Sequence, residues 1–124
     1  MMKVLVIDDD EIFRDYLAAL LTRAGYQVRT LPNGSAVETT VQAEPFDAVV
    51  TDLFMPIADG IETIRAVRKR SPTLPVIGVT GEVEEENDPC RKAMTVLGAK
   101  VVLSKPIDAS AFLTALREAI TASA

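Results

Sequence analysis

Apolar and polar positions alternate in blocks along this chain. Residues 3–8, K-V-L-V-I-D, hold four consecutive apolar residues, three of them β-branched, and read as a strand buried on both faces. Phe13, Tyr16, Leu17, Leu20, Leu21 and Ala24 then recur at helical spacing, and Gly25 is a natural stop. Residues 26–31, Y-Q-V-R-T-L, predict a second short strand, followed by a Pro32-Asn33-Gly34 turn. Ala36, Val37, Thr40 and Val41 predict a second helix that Pro45 closes, and D-A-V-V-T-D (47–52) a third strand.

The same alternation continues to the C-terminus. Ile61, Ile64, Val67 and Arg68 predict a helix over about 60–70, and P-V-I-G-V-T (75–80) a fourth strand. An acidic loop, G-E-V-E-E-E-N, leads to Asp88-Pro89, a cap followed by Pro at the first helical position. Cys90, Ala93, Met94 and Leu97 form that helix's buried stripe, which Gly98 ends. K-V-V-L-S (100–104) predicts the fifth strand, and Lys105-Pro106 a turn. Asp108 reads as a cap for a last helix bearing Phe112, Leu113, Leu116, Ala119 and Ile120, with a frayed T-A-S-A tail. Five apolar strands alternating with five amphipathic helices imply an α/β fold, a parallel sheet covered on both faces. No linker, repeat or low-complexity stretch divides it, so one domain over residues 1–124 is expected.

Composition narrows the chemistry. The chain has no His and one Cys, which excludes Ser-His-Asp and Cys-His catalysis, His or Cys zinc centres and an intrachain disulfide. Cys90 is expected in the core. A net charge of −5 opposes direct nucleic-acid binding and suits a divalent cation if the acids cluster. The N-terminus is too short and too acidic for a signal peptide, and no apolar run approaches a membrane span, so a cytoplasmic protein without membrane contact is expected.

In an open parallel sheet, ligands bind at the carboxyl ends of the strands. Those ends carry Asp8 and Asp9, Asp52, Thr80 and Lys105. Two carboxylates about 4 Å apart repel by on the order of 4 kcal/mol near a protein surface. A hard cation such as Mg²⁺ on Asp8, Asp9 and Asp52 removes that cost. Asp52 then suits attack on a phosphoryl group to give an acyl phosphate, with Lys105 as a second positive contact and the Thr80 hydroxyl as a hydrogen-bond donor. Asp10 and Glu11 are assigned to the start of the first helix, and Asp59 to a turn before Gly60.

The motifs V-I-D-D-D at strand one, D-L-F-M-P-I-A-D-G around Asp52, V-T-G at Thr80-Gly81 and S-K-P at Lys105 resemble a response-regulator receiver domain of two-component signalling, of the stand-alone type. The resemblance runs over about residues 3–120. It implies a flavodoxin-like, doubly wound five-stranded sheet of order 2-1-3-4-5 with five helices on two faces. It implies phosphorylation at Asp52, Mg²⁺ on Asp8, Asp9, Asp52 and the backbone carbonyl of Phe54, and phosphoryl contacts from Thr80 and Lys105. The donor would be a phosphohistidine on a sensor histidine kinase or a histidine phosphotransfer protein, docking around helix one near Arg14 and Leu17. The output would be contact with another protein, and the chain would be a regulator rather than an enzyme.

Three features depart from that pattern. Val102 stands three before Lys105, where an aromatic is usual. The Thr80–Lys105 segment is longer than usual, with the excess in the acidic 82–87 loop. Phe54, two after Asp52, is bulky and apolar and is expected to slow water attack on the acyl phosphate. Two other readings compete. A haloacid-dehalogenase-like phosphatase would use Asp8 as nucleophile within Asp8-Asp9-Asp10-Glu11-Ile12, although Ile12 stands where Thr or Val is expected. A non-catalytic interaction domain would keep the fold without being phosphorylated. A flavin carrier is disfavoured by the acids at 8–11, where a phosphate loop needs amides.

Overall fold

A computed structural model describes residues 1–52, 60–81 and 89–123. Strands β1 (Lys3–Ile7), β2 (Gln27–Leu31), β3 (Ala48–Asp52), β4 (Val76–Thr80) and β5 (Ala99–Ser104) form one sheet of order β2-β1-β3-β4-β5. Every neighbouring pair is parallel. The connecting helices are α1 (Glu11–Arg23), α2 (Val37–Ala43), α3 (Gly60–Arg70), α4 (Pro89–Val96) and α5 (Ala109–Ser123), with a 3-10 turn, Gly34–Ala36, before α2. The order reverses between β1 and β3, so the carboxyl ends of those two strands lie side by side, at the kind of switch point where open α/β sheets take their ligands.

Side-chain alternation along the strands divides the core into two layers. Val4, Val6, Val50, Ile77 and Val79 pack with Leu17 and Leu21 of α1 and Phe112 and Leu116 of α5. Leu5, Ile7, Val49, Val76 and Val102 pack on the other face with Val37 of α2 and Ile64 and Val67 of α3. Every residue of β3 and β4 is buried, which explains why neither sequence shows the apolar–polar alternation of a half-exposed strand. β2 is an edge strand and reads weaker, with Gln27, Arg29 and Thr30 exposed.

Helix boundaries follow local chemistry. Asp10 caps α1, its Oδ1 accepting the Phe13 N–H at 3.2 Å, as expected for an acid placed at that helix start. Asp108 holds the start of α5, its Oδ1 accepting from Ser110 N at 3.0 Å. Gly25 and Gly98, with φ of 98° and 117°, follow the ends of α1 and α4.

Three expectations are corrected. Tyr16 is 45% exposed and Ala24 is also exposed, so the buried stripe of α1 is narrower than the periodicity implies. Leu17, expected as a partner contact, is 1% exposed because it packs between α1 and the sheet. The C-terminal tail does not fray at Thr121: α5 runs on through Ser123, and the Thr121 hydroxyl donates to the Arg117 carbonyl at 2.8 Å. Arg68 lies in α3, as its place in the helical pattern implies, and its side chain also bridges two turns. It donates to the carbonyls of Ser71 and Leu74, and from Nη2 to Gly98 O at 2.6 Å. The Phe54 carbonyl, the Asp59 turn, the 82–87 loop and the Asp88 cap lie outside the described residues, as do the side chains of Cys90 and Met94.

Candidate functional site

Four strand ends meet at one rim. Ile7 is in register with Thr51, so Asp8 and Asp52 are the next residues on adjacent strands. Thr80 is in register with Ser104, and the backbone N–H of Lys105 extends that ladder to Thr80 O at 2.8 Å. Asp8 N–H likewise extends β1 toward β2, donating to Leu31 O at 3.2 Å. The sheet's own hydrogen bonding therefore fixes the backbone from which each group projects.

Asp8, Asp52 and Thr80 are buried, with 1%, 6% and 0% exposure, whereas Asp9 is exposed. Single carboxylate oxygens of Asp8, Asp9 and Asp52 all lie within 4.8 Å of one another. The Lys105 ammonium stands 3.1 Å from Asp8 Oδ2 and 3.7 Å from Asp52 Oδ2. It thus bridges the first and third strands from the end of the fifth. Thr80 lies on the same strand faces as Val102, since Val76 packs on the α2–α3 side while Ile77 and Val79 pack on the other, and Gly78 registers with Val102. Val102 is 7% exposed and serves as a core residue there.

Burial pushes the Asp8 carboxyl above its ordinary range. The Asp10 N–H, donating to Asp8 Oδ1 at 2.9 Å, and Lys105 oppose that rise, and the nearby Asp9 charge adds to it. A single ammonium among three carboxylates leaves an excess of negative charge. Oxygen donors crowded in that way suit a hard divalent cation with waters completing its shell. The residues present fit such an ion.

Arg14 belongs to the same neighbourhood, but inwardly: its Nη1 donates to the Asp8 carbonyl at 2.8 Å. A shallow groove of about 640 Å³ runs beside the site, lined by Ile12, Phe13, Tyr16, Lys105, Pro106 and Ile107. Ile12 is 83% exposed at its edge. Neither Ile12 nor Phe13 was singled out by sequence as a site residue. Their signal was available, since apolar residues at 12, 13 and 16 cover more of a helix than one buried stripe requires.

The chain is similar to proteins of known family. The model of the response regulator receiver domain matches residues 4–117. The response regulator receiver protein CpdR of Brucella abortus is 34% identical over 110 residues, covering 86% of each chain. The sensor histidine kinase RcsC of Escherichia coli is 36% identical over 107 residues, which are 86% of this chain but 11% of that protein. The structure of the Vibrio cholerae chemotaxis protein CheY4 superposes with a TM-score of 0.86 at 30% identity, covering 96% of this chain and 98% of that one.

Proposed function

Because the chain belongs to the response regulator receiver domain family of two-component signalling, we propose that Asp52 accepts a phosphoryl group from a partner's phosphohistidine and that the acyl phosphate switches contacts with other proteins. The observation that carries this reading is the Lys105 ammonium held between the buried Asp8 and Asp52 carboxylates at 3.1 and 3.7 Å. A buried acid with a fixed cation beside it is what an in-line phosphoryl acceptor needs.

An Asp52 carboxylate oxygen attacks phosphorus as the P–N bond breaks. The electron pair of that bond returns to the imidazole, which leaves neutral when its other ring nitrogen is protonated. Lys105 meets the oxygens of the transferring group, and the Thr80 hydroxyl donates to one of them. Asp8, Asp9 and Asp52 are the side chains that would hold Mg²⁺, which supplies charge neutralisation to the phosphoryl oxygens when bound. With no His in these 124 residues, the phosphohistidine lies outside them, on a sensor histidine kinase or a histidine phosphotransfer protein. That partner docks on the groove beside α1, where Ile12 and Tyr16 are exposed, rather than on Leu17. The output is a shift between two conformations read by a downstream protein.

Incubation with acetyl phosphate and Mg²⁺, followed by intact-mass and peptide analysis, tests the reading. One phosphoryl group on Asp52, lost in Asp52→Asn, is expected. Turnover of unrelated phosphoesters that disappears in Asp8→Asn would instead make Asp8 a phosphatase nucleophile. Absence of any label on a folded, Mg²⁺-supplied chain would leave a pure interaction domain.

A further inference from the structure

The Lys105 ammonium has a third neighbour besides its two carboxylates. It stands 4.2 Å from the centroid of the Phe13 ring. That distance is within the range where a cation is drawn to the negative face of an aromatic ring. Phe13 is partly buried: it packs against the core layer between the sheet and α1 and α5, and it also lines the groove beside the site.

The contact closes a circuit. The Asp8 carboxylate accepts from Asp10 N–H at 2.9 Å, and the Asp10 carboxylate accepts from Phe13 N–H at 3.2 Å. The Phe13 ring faces the Lys105 ammonium, and that ammonium returns to Asp8 at 3.1 Å. The Tyr16 ring, one turn further along α1 at 6.1 Å, backs the Phe13 ring. On its other side, the stem of Lys105 runs close to Gly81, where an added Cβ would lie 3.5 Å from Cδ. A lysine side chain is long and free to adopt many rotamers. Here its head is fixed by two carboxylates and a ring anchored in the first turn of α1.

We infer that Phe13 is a positioning residue for phosphoryl transfer, its ring holding the Lys105 ammonium where the phosphoryl group arrives. The inference rests on the proposed reading of Asp52 as acceptor. Leucine at position 13 would cover the same groove floor without offering a π face, whereas tyrosine keeps the face.

The test uses the full chain and three variants, Phe13→Leu, Phe13→Tyr and Lys105→Ala, with the Leu–Ala double variant. Labelling of Asp52 by acetyl phosphate at saturating Mg²⁺ is expected to slow about threefold to tenfold in Phe13→Leu and to stay within about twofold of wild type in Phe13→Tyr. In the Lys105→Ala background, Phe13→Leu is expected to cause no further loss, because the ring then has nothing to hold. An activity-independent readout is the proton shift of the Lys105 ε-methylene. Ring current should move it upfield in wild type and Phe13→Tyr and release it in Phe13→Leu. Equal labelling rates in wild type and Phe13→Leu, or a loss that persists without Lys105, would overturn the inference. If Phe13→Leu does not fold, Phe13→Met replaces it. A wild-type chain that takes no label would refute the acceptor reading instead, and the ε-methylene shift would still decide the contact.

Discussion

The Arg68 guanidinium occupies the space a side chain at Gly98 would need: an added Cβ would lie 2.5 Å from Arg68 Nε. Gly98 also has a φ of 117°, a conformation that L side chains rarely adopt. Gly98→Ala is therefore expected to destabilise the fold by about 1–3 kcal/mol, read as a lower urea midpoint. Gly81→Ala is the control. Its Cβ would meet the Lys105 stem at an ordinary 3.5 Å, and a change within about 0.5 kcal/mol is expected.

Arg68 itself serves three carbonyls, on Ser71, Leu74 and Gly98, and so ties the exit of α3 to the turn before β5. Burial pushes its pKa down, yet a guanidinium remains cationic at any ordinary pH. Arg68→Lys is expected to cost about 2–3 kcal/mol, because one ammonium cannot replace a planar fork across two turns. An unfolding midpoint unchanged by Arg68→Lys would show that the bridge contributes little.

Divalent cation should stabilise the folded chain. At ten times its dissociation constant, Mg²⁺ is expected to add about 1.4 kcal/mol. That raises the melting temperature by about 4–8 °C in a domain of this size. Asp9→Asn should reduce the shift without unfolding the protein, since Asp9 is exposed. Protons should compete with the cation. Asp8 is raised above its ordinary 3.8, so between that value and its folded pKa the folded state holds a proton the unfolded chain has released. Stability without metal then falls as pH rises through that window. The cation's benefit grows over the same window. Calorimetric melts with and without Mg²⁺ across acidic pH would check both slopes.

Glu44 behaves in the opposite sense. A hydrogen bond from Lys3 holds its carboxyl below the ordinary 4.5, and the Arg29 charge adds to this. Its contribution is present above that ordinary value and is lost as pH falls through the lower folded one. Lys3→Met is expected to move the Glu44 titration back up, as followed by its carboxylate carbon shift. The ion pair also joins β1 to the residue that ends α2.

Val102 packs in the layer with Ile64 and Val67, where an aromatic ring three before Lys105 would need far more room. Val102→Tyr is expected to cost about 1–3 kcal/mol by overpacking, unless the ring turns outward. Denaturant unfolding gives the cost. A neutral result would show that the outward conformation is free to form.

The sheet, its helices and the acidic rim could be read from the sequence because each rests on local pattern. Strand ends such as Asp52 and Lys105 follow directly from where apolar runs stop. What escaped depends on contacts across the chain. The bridge from Arg68 to Gly98 spans thirty residues, and the ring of Phe13 meets an ammonium on the far side of the sequence. No periodicity carries such pairs. Tyr16 and Leu17 show the same lesson within one helix: both fit an apolar spacing, but only the tertiary packing decides which is covered.

The rim draws its groups from four strand ends that the chain visits at residues 8, 52, 80 and 105. None of these ends is a neighbour of another until the strands have joined edge to edge. A nascent chain would lack its lysine until the last strand emerged and docked, and a chain opened by heat would scatter all four groups. On the proposed reading of Asp52 as acceptor, competence to be phosphorylated would be a certificate of completed folding, and a donor that recognises the assembled rim would also act as an inspector of the finished sheet.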